Sequence, residues 1–210
     1  MGTDIHGVFQ KRTPEGWKDI PSEYRQARHY MLFAWLGNVR NGTGFAGVPT
    51  HDPIKPLSDS RGYPDDFEVD DDDYHPNTEM DIIDPRRREW ADLDDEDGSG
   101  LNIWMGDHSH SWVTDDEVLA GELPGITRTG IIERAQFDTW DKVSPPDSWS
   151  GGVSGPGVKI GDMDSLADDD TYVRVRWQCA VVDELTYFID EVKRLKELHG
   201  EVRFVFGFDS

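Results

Sequence analysis

"TYVRVRWQCAVVDELTYFIDEVKRLKELHGEVRFVFGFDS", residues 171–210, is the stretch that decides the fold. Its first eight residues alternate apolar and polar side chains with the period of two of a strand. Val181, Leu185, Phe188, Val192 and Leu195 then recur at spacings of three and four, with charges opposite. That is the pattern of an amphipathic helix, and Gly200 supplies its stop. "EVRFVFGFDS" returns to a strand. Strand, helix and strand in succession predict one βαβ-like unit. The chain as a whole then reads as α+β (or α/β): a single mixed sheet with a few packed helices and long acidic loop insertions. The apolar stripe of the helix reads as core before it reads as a dimer seam, and a homo-oligomer stays open.

Outward from this end, "TDIHGVFQK" (3–11) reads as a first strand and Thr13-Pro14-Glu15-Gly16 as a hairpin turn. "SEYRQARHYMLFAWLGNVRNG" (22–42) predicts a helix, with Tyr24, Ala27, Met31 and Trp35 on one face and Gly37 as its end. Leu101–Trp104 reads as a short strand. Thr114 is a good N-cap for a helix over 115–121, whose first turn carries Asp115, Asp116 and Glu117. "TRTGIIER" reads as a strand and "AQFDTWDK" as a helical turn.

The length suits a single domain, 1–210. Within it, residues 64–100 form an acidic insertion expected to be mobile, and residues 144–170 a loop rich in Gly, Ser and Pro. "PDDFEVDDDD" packs seven acids into residues 65–73, and "DLDDEDGSG" adds a second run at 92–100. The second run misplaces the ligands of an EF-hand loop, since Leu93 would stand first. "PRRREW" (85–90) reads as internal charge balancing.

A net charge of −22 argues against direct nucleic-acid binding, which needs Lys and Arg against phosphates. No apolar run is long enough for a membrane span. The single cysteine, Cys179, leaves no partner for a disulfide and points to a reducing compartment, the cytoplasm. The sequence has no G-x-S-x-G, P-loop or H-E-x-x-H motif. "GVSGPG" (152–157) lacks the lysine that a P-loop requires.

The residues that could carry chemistry lie elsewhere. "GDHSHSW" (106–112) gathers Asp107, His108, Ser109, His110, Ser111 and Trp112 before a predicted helix N-terminus, where backbone N–H groups favour phosphate or carboxylate. Asp4 and His6 stand at i and i+2, on one face of a strand. They read as a metal-ligand pair, as an oriented catalytic imidazole, or as a structural buried pair. With Asp107 and His108 they make an oxygen and nitrogen set that a divalent metal (Zn, Mn or Fe) accepts, though no metal ligand is assigned. Arg40 and Asn41 in "NVRNG", and Arg61 in "DSRGYP", are candidate anion clamps, because the guanidinium fork matches phosphate and carboxylate. An internal pair with an acid is the alternative for Arg61.

"MGTDIHG", "RHYMLFAWLGNVRN", "SRGYP", "DHSHSWVT" and "VRFVFGFD" together resemble, in order, a family of small proteins encoded by tailed phages, many of them of actinobacteria. "RHY" stands where R-N-Y is usual, and the acidic stretch at 65–100 is peculiar to this chain. The resemblance implies a viral setting in the host cytoplasm. It also implies one polar pocket drawn from Asp4, His6, Arg28, Arg40, Asn41, Arg61, His108, Ser111 and Trp112.

Three functions follow as expectations. The first is a phage accessory protein binding a small anionic, nucleotide-like ligand, such as a host defence signal that it sequesters. In it Asp4, His6, Arg40, Asn41, Arg61, Asp107, His108, Ser109 and Ser111 hold the ligand and Trp112 stacks a ring. The second is a phosphodiesterase or other hydrolase with Asp4, His6 and His108 as catalytic groups, with or without a metal. The third is an interaction protein whose acidic loops mimic DNA.

Overall fold

A computed structural model describes residues 2–24, 28–44, 47–77, 101–151 and 171–210. Eight strands and four helices lie among them, in the order β1 (Ile5–Thr13), β2 (Gly16–Ile20), α1 (Tyr30–Gly37), β3 (Tyr74–Asn77), β4 (Leu101–Trp104), β5 (His108–Thr114), α2 (Asp115–Ala120), β6 (Gly125–Glu133), α3 (Arg134–Thr139), β7 (Tyr172–Ala180), α4 (Val181–His199) and β8 (Val202–Phe208). The fold is α+β. The strands divide into a four-stranded sheet, β2-β1-β8-β5, and two pairs, β3-β4 and β6-β7. Every pairing is antiparallel.

The single mixed sheet and its βαβ unit are therefore corrected. β7 pairs with β6, whereas β8 pairs with β1 on one edge and β5 on the other. Both edges of β8 are occupied by strands distant in sequence, so β7 has no edge to join. The strand and helix periods were legible, but the pairing partners were not.

All seven residues of β8 are buried. On one face Phe204, Phe206 and Phe208 meet Phe9, Phe33 and Phe188, with ring centroids 4.6 Å apart for Phe9–Phe204 and 5.2 Å for Phe33–Phe208. Leu185, Phe188, Val192 and Leu195 of α4 close this core. α1 lies inside it. Met31 through Gly37 are all buried, so this helix is apolar all round rather than one-faced. It begins later than the stretch from residue 22 suggested and ends at Gly37, as expected. The His29 side chain caps its start, and Asn38, in the left-handed region at φ 61°, ends it. Tyr24 enters the core from outside the helix, against Phe9 and Phe188.

The opposite face of the sheet carries His6, Val8 and Gln10 of β1 and Arg203 and Val205 of β8. It is covered by residues 63–77 and β4. Val8 and Val205 form a second small core with Phe67 and Met105. A polar chain runs beside it. His75 Nε2 lies 2.8 Å from Asp19, Gln10 donates to Asp19, and Arg203 donates to Gln10 and to Asp66. The described part of the acidic insertion, residues 64–77, is thus packed rather than free. Phe67 is buried, Asp66 pairs with Arg203, Asp70 accepts the backbone N–H groups of Asp72 and Tyr74, and Asp73 accepts from Tyr63. Charge dominated the sequence pattern there, while a single aromatic anchor decided the packing. The readings at 85–90, 92–100 and 152–157 lie outside the described residues.

Thr114 caps α2 as expected, in a reciprocal capping box with Glu117. Asp115, the first residue of α2, is buried, accepts the backbone N–H of Val202 and pairs with Lys196 of α4. That one carboxylate ties α2, α4 and the start of β8.

Phe67→Ala should lower the unfolding free energy by about 3 kcal/mol in guanidinium titration, because it empties the centre of the second core. A loss below about 1 kcal/mol would mean that residues 63–77 do not hold that face.

Candidate functional site

The residues singled out in the sequence fall into two clusters and one isolated tie. The first lies at one end of the main sheet, where β1 begins, β8 ends and β5 begins. Asp4 accepts both arms of the Arg28 fork, at 2.9 Å from Nε and 2.5 Å from Nη2. The carboxylate at His6 Nε2 is that of Asp209, 3.3 Å away, and Asp209 also accepts the Asp4 backbone N–H. The expected Asp4–His6 partnership is thus replaced by Asp4–Arg28 and His6–Asp209. Asp4 precedes the strand, so the i, i+2 rule does not govern its direction. His6 is buried against Trp104, with ring centroids 4.8 Å apart. His108 lies between two hydroxyls, 2.9 Å from Ser109 Oγ and 2.9 Å from Ser210 Oγ, and Asp107 sits beside it, largely exposed. Arg40 reaches the same corner by donating to Thr3.

The second cluster holds Arg61, Ser111 and Trp112. Arg61 is not an open clamp. Its fork is taken by Glu117, and its guanidinium lies 5.1 Å from the centre of the Trp112 ring. Ser111 is fully buried, bonded to Ser58 and donating to the Asp59 carbonyl. Burial pushes the Glu117 carboxyl up, but the bonds from Arg61 and Thr114 outweigh it and hold the group below its ordinary value. Asn41 is separate: it bonds both the N–H and the C=O of Ile54 and so fixes the loop after α1.

"GDHSHSW" is also corrected. It is not a loop leading into a helix but the start of β5, paired with β8, with a register shift between His108 and Ser111. Gly106 makes this possible. Its φ is +85°, and a Cβ there would stand 2.5–2.7 Å from the backbone of Phe208.

A concavity lies next to the first cluster and shares Arg28 with it. It is a cleft of about 350 Å³, walled by Arg28, His29 and Tyr30 at the start of α1, by Arg128 of β6, by Glu184 of α4 and by Trp149. Residues 50–52 and Ser150 bond to β6 in ladder fashion, which fixes these walls. Trp149 lies across Gly130, where a Cβ would stand 2.7 Å from its ring, and meets Trp177 edge-on at 5.3 Å. Its indole remains 40% exposed. The Arg128 guanidinium lies 5.4 Å from the ring centre and is paired with Glu184. In a chain with 43 acids and 21 bases, the cleft lining carries two arginines and one acid.

The sequence had a signal for part of this. Along β6, Ile126, Arg128, Gly130 and Ile132 share the buried face, so an arginine stands at a core register. Trp149, in a loop of Ser, Pro and Gly, gave none. Among the described residues no group of three or more His, Cys, Asp or Glu is placed to hold a metal ion. Among them, too, no helix is long and apolar enough to cross a membrane. The chain matches no protein-family model, no curated protein and no solved structure.

Two imidazoles near the cleft are held neutral. His29 Nδ1 accepts the Leu32 N–H at the start of α1, and His51 Nε2 accepts the Gly42 N–H. Burial lowers the pKa of both. The unfolded chain therefore binds protons that the native state refuses, so stability is complete above about 6.5, the ordinary histidine value, and declines below it. The melting temperature should fall between pH 7 and pH 5.5. His29→Asn, which keeps a capping acceptor without a titrating ring, should flatten that slope; an unchanged slope would remove His29 from the account.

Proposed function

We propose that the protein binds a small anionic, ring-bearing ligand of nucleotide type in the cleft between Arg28, Tyr30, Arg128 and Trp149. One observation carries the reading: a half-exposed indole and an accessible guanidinium face one concavity in a chain of strongly negative charge. An indole face stacks a base, and a guanidinium fork takes an oxyanion. Arg61, Asn41 and Ser111 make internal bonds, so the reading rests on the cleft of Arg28 and Trp149. In the phage setting that the sequence resemblance implies, such a cleft suits sequestration of a nucleotide signal of the host.

A hydrolase reading has one observation in its favour, the His108 imidazole within 2.9 Å of two serine hydroxyls. That contact lies outside the cleft lining. Turnover of a nucleotide substrate that His108→Ala abolishes would place the chemistry there.

A panel of mononucleotides and cyclic dinucleotides, screened by thermal shift and native mass spectrometry, tests the binding reading. At least one should stabilise the protein. Trp149→Ala should weaken it about tenfold or more, the usual worth of a stacked base. Gly130→Ala, which pushes Trp149 off its strand, should do the same. No stabilisation by any nucleotide, or stabilisation indifferent to both substitutions, refutes the reading.

A further inference from the structure

One residue of the cleft wall, Arg28, is paired with an acid that lies outside the lining, Asp4. Arg28 presents its fork to Asp4 bidentately, and its side chain is 50% exposed. The Asp4 carboxylate, 29% exposed, has Arg28 as its partner among the described residues. The Asp4 backbone is pinned independently: its N–H donates to Asp209, and its carbonyl accepts the Asp209 N–H. The carboxylate can therefore swing away by side-chain rotation alone, while the chain stays in place. An exposed ion pair of this kind is nearly neutral in free energy, so surrendering it costs little.

Two other arginine forks among the described residues, those of Arg128 and Arg61, differ. Arg128 is buried, and its partner Glu184 also accepts from Cys179. Breaking that pair would strand a buried charge. The partner of Arg61, Glu117, is half of the capping box of α2. Compared with these two, the Arg28 fork can change partners at low cost, and it is shared by the sheet-end cluster and the cleft.

We propose that Asp4 is an internal stand-in for the ligand's anionic group, occupying the Arg28 fork until a phosphate of the ligand replaces it. This rests on the cleft being the binding site and names its anion subsite. A carboxylate held at two oxygens by one guanidinium matches the geometry in which a phosphate is held. The exchange makes Asp4 an antagonist of binding: it competes for the fork and repels the incoming charge. Only ligands that carry the anion feel this competition, so Asp4 lowers the affinity for phosphate-bearing ligands and leaves that for uncharged ones unchanged.

The test is calorimetric titration of AMP, adenosine and inorganic phosphate into the wild type, Asp4→Asn, Asp4→Ala, Arg28→Lys and Trp149→Ala, each checked for native circular dichroism. Asp4→Asn should bind AMP about three- to tenfold more tightly than the wild type, with Asp4→Ala following it and adenosine affinity unchanged. Arg28→Lys, which keeps the charge and loses the fork, should weaken AMP about tenfold. If Trp149→Ala and Arg28→Lys weaken AMP but both Asp4 variants bind it no more tightly than the wild type, the cleft stands and the exchange is overturned. Equal gains for adenosine and AMP also overturn it. If AMP binding is indifferent to Trp149→Ala and Arg28→Lys, the cleft reading itself fails. Tighter binding of both AMP and inorganic phosphate by the Asp4 variants, with adenosine unchanged, supports the exchange. No binding of any probe to any of the five proteins overturns both readings.

Discussion

Burial of β8 on both faces is the constraint on which the rest depends. A strand at the centre of a sheet with Phe204, Phe206 and Phe208 on one side must be covered there by helices. α4 supplies an amphipathic face, and α1, apolar on every side, fills the space beneath it. The same strand places Arg203 and Val205 on the other side, so that face needs a second cover able to satisfy a guanidinium. Residues 63–77 provide it, with Phe67 for the apolar part and Asp66 for the charge. The acidic stretch is thus held inward by Phe67 in the second core together with Asp66 on Arg203.

The pairing of β1 with β8 has a functional consequence. It brings Asp4 and His6 to the same end of the sheet as Asp209, and β5 adds Asp107 and His108 there. Through Arg28 this polar corner reaches the cleft beside α1. The wall opposite Arg28 comes from β6, from Trp149 and from Glu184 at the start of α4. Glycines govern two of these approaches. Gly106 lets β5 begin against the end of β8, and Gly130 lets an indole lie on a strand. A side chain at either position would occupy space that another group already fills.

Much of the local structure was legible because it rests on local periods. The alternation in "TYVRVRWQ", the spacing from Val181 to Leu195 and the Thr114 N-cap each describe contacts within a few residues. "GDHSHSW" misled for a related reason. Its polar residues look like a loop, yet β8 leaves an edge that needs a partner, and backbone pairing overrides side-chain polarity. The helix expected from residue 22 begins only at Tyr30, where the His29 side chain caps it, and stops at Gly37 as the sequence indicated. Arg128 could have been noticed as a charge at a buried strand register, whereas Trp149 could not.

The sequence by itself determined the α+β class, the positions of the main strands and of α4, and the polar residues that gather at the sheet end. Those follow from side-chain periodicity and residue chemistry, which are local. Only the tertiary structure decided which acid meets which base. His6 took Asp209 rather than Asp4, Arg28 took Asp4, and Arg61 took Glu117. It also brought Arg28, Arg128 and Trp149 together around a cleft between α1, β6 and α4. The physical reason is that strand pairing and ion pairing join residues up to two hundred positions apart, and the choice among many equivalent acids is made by where the backbone leaves them.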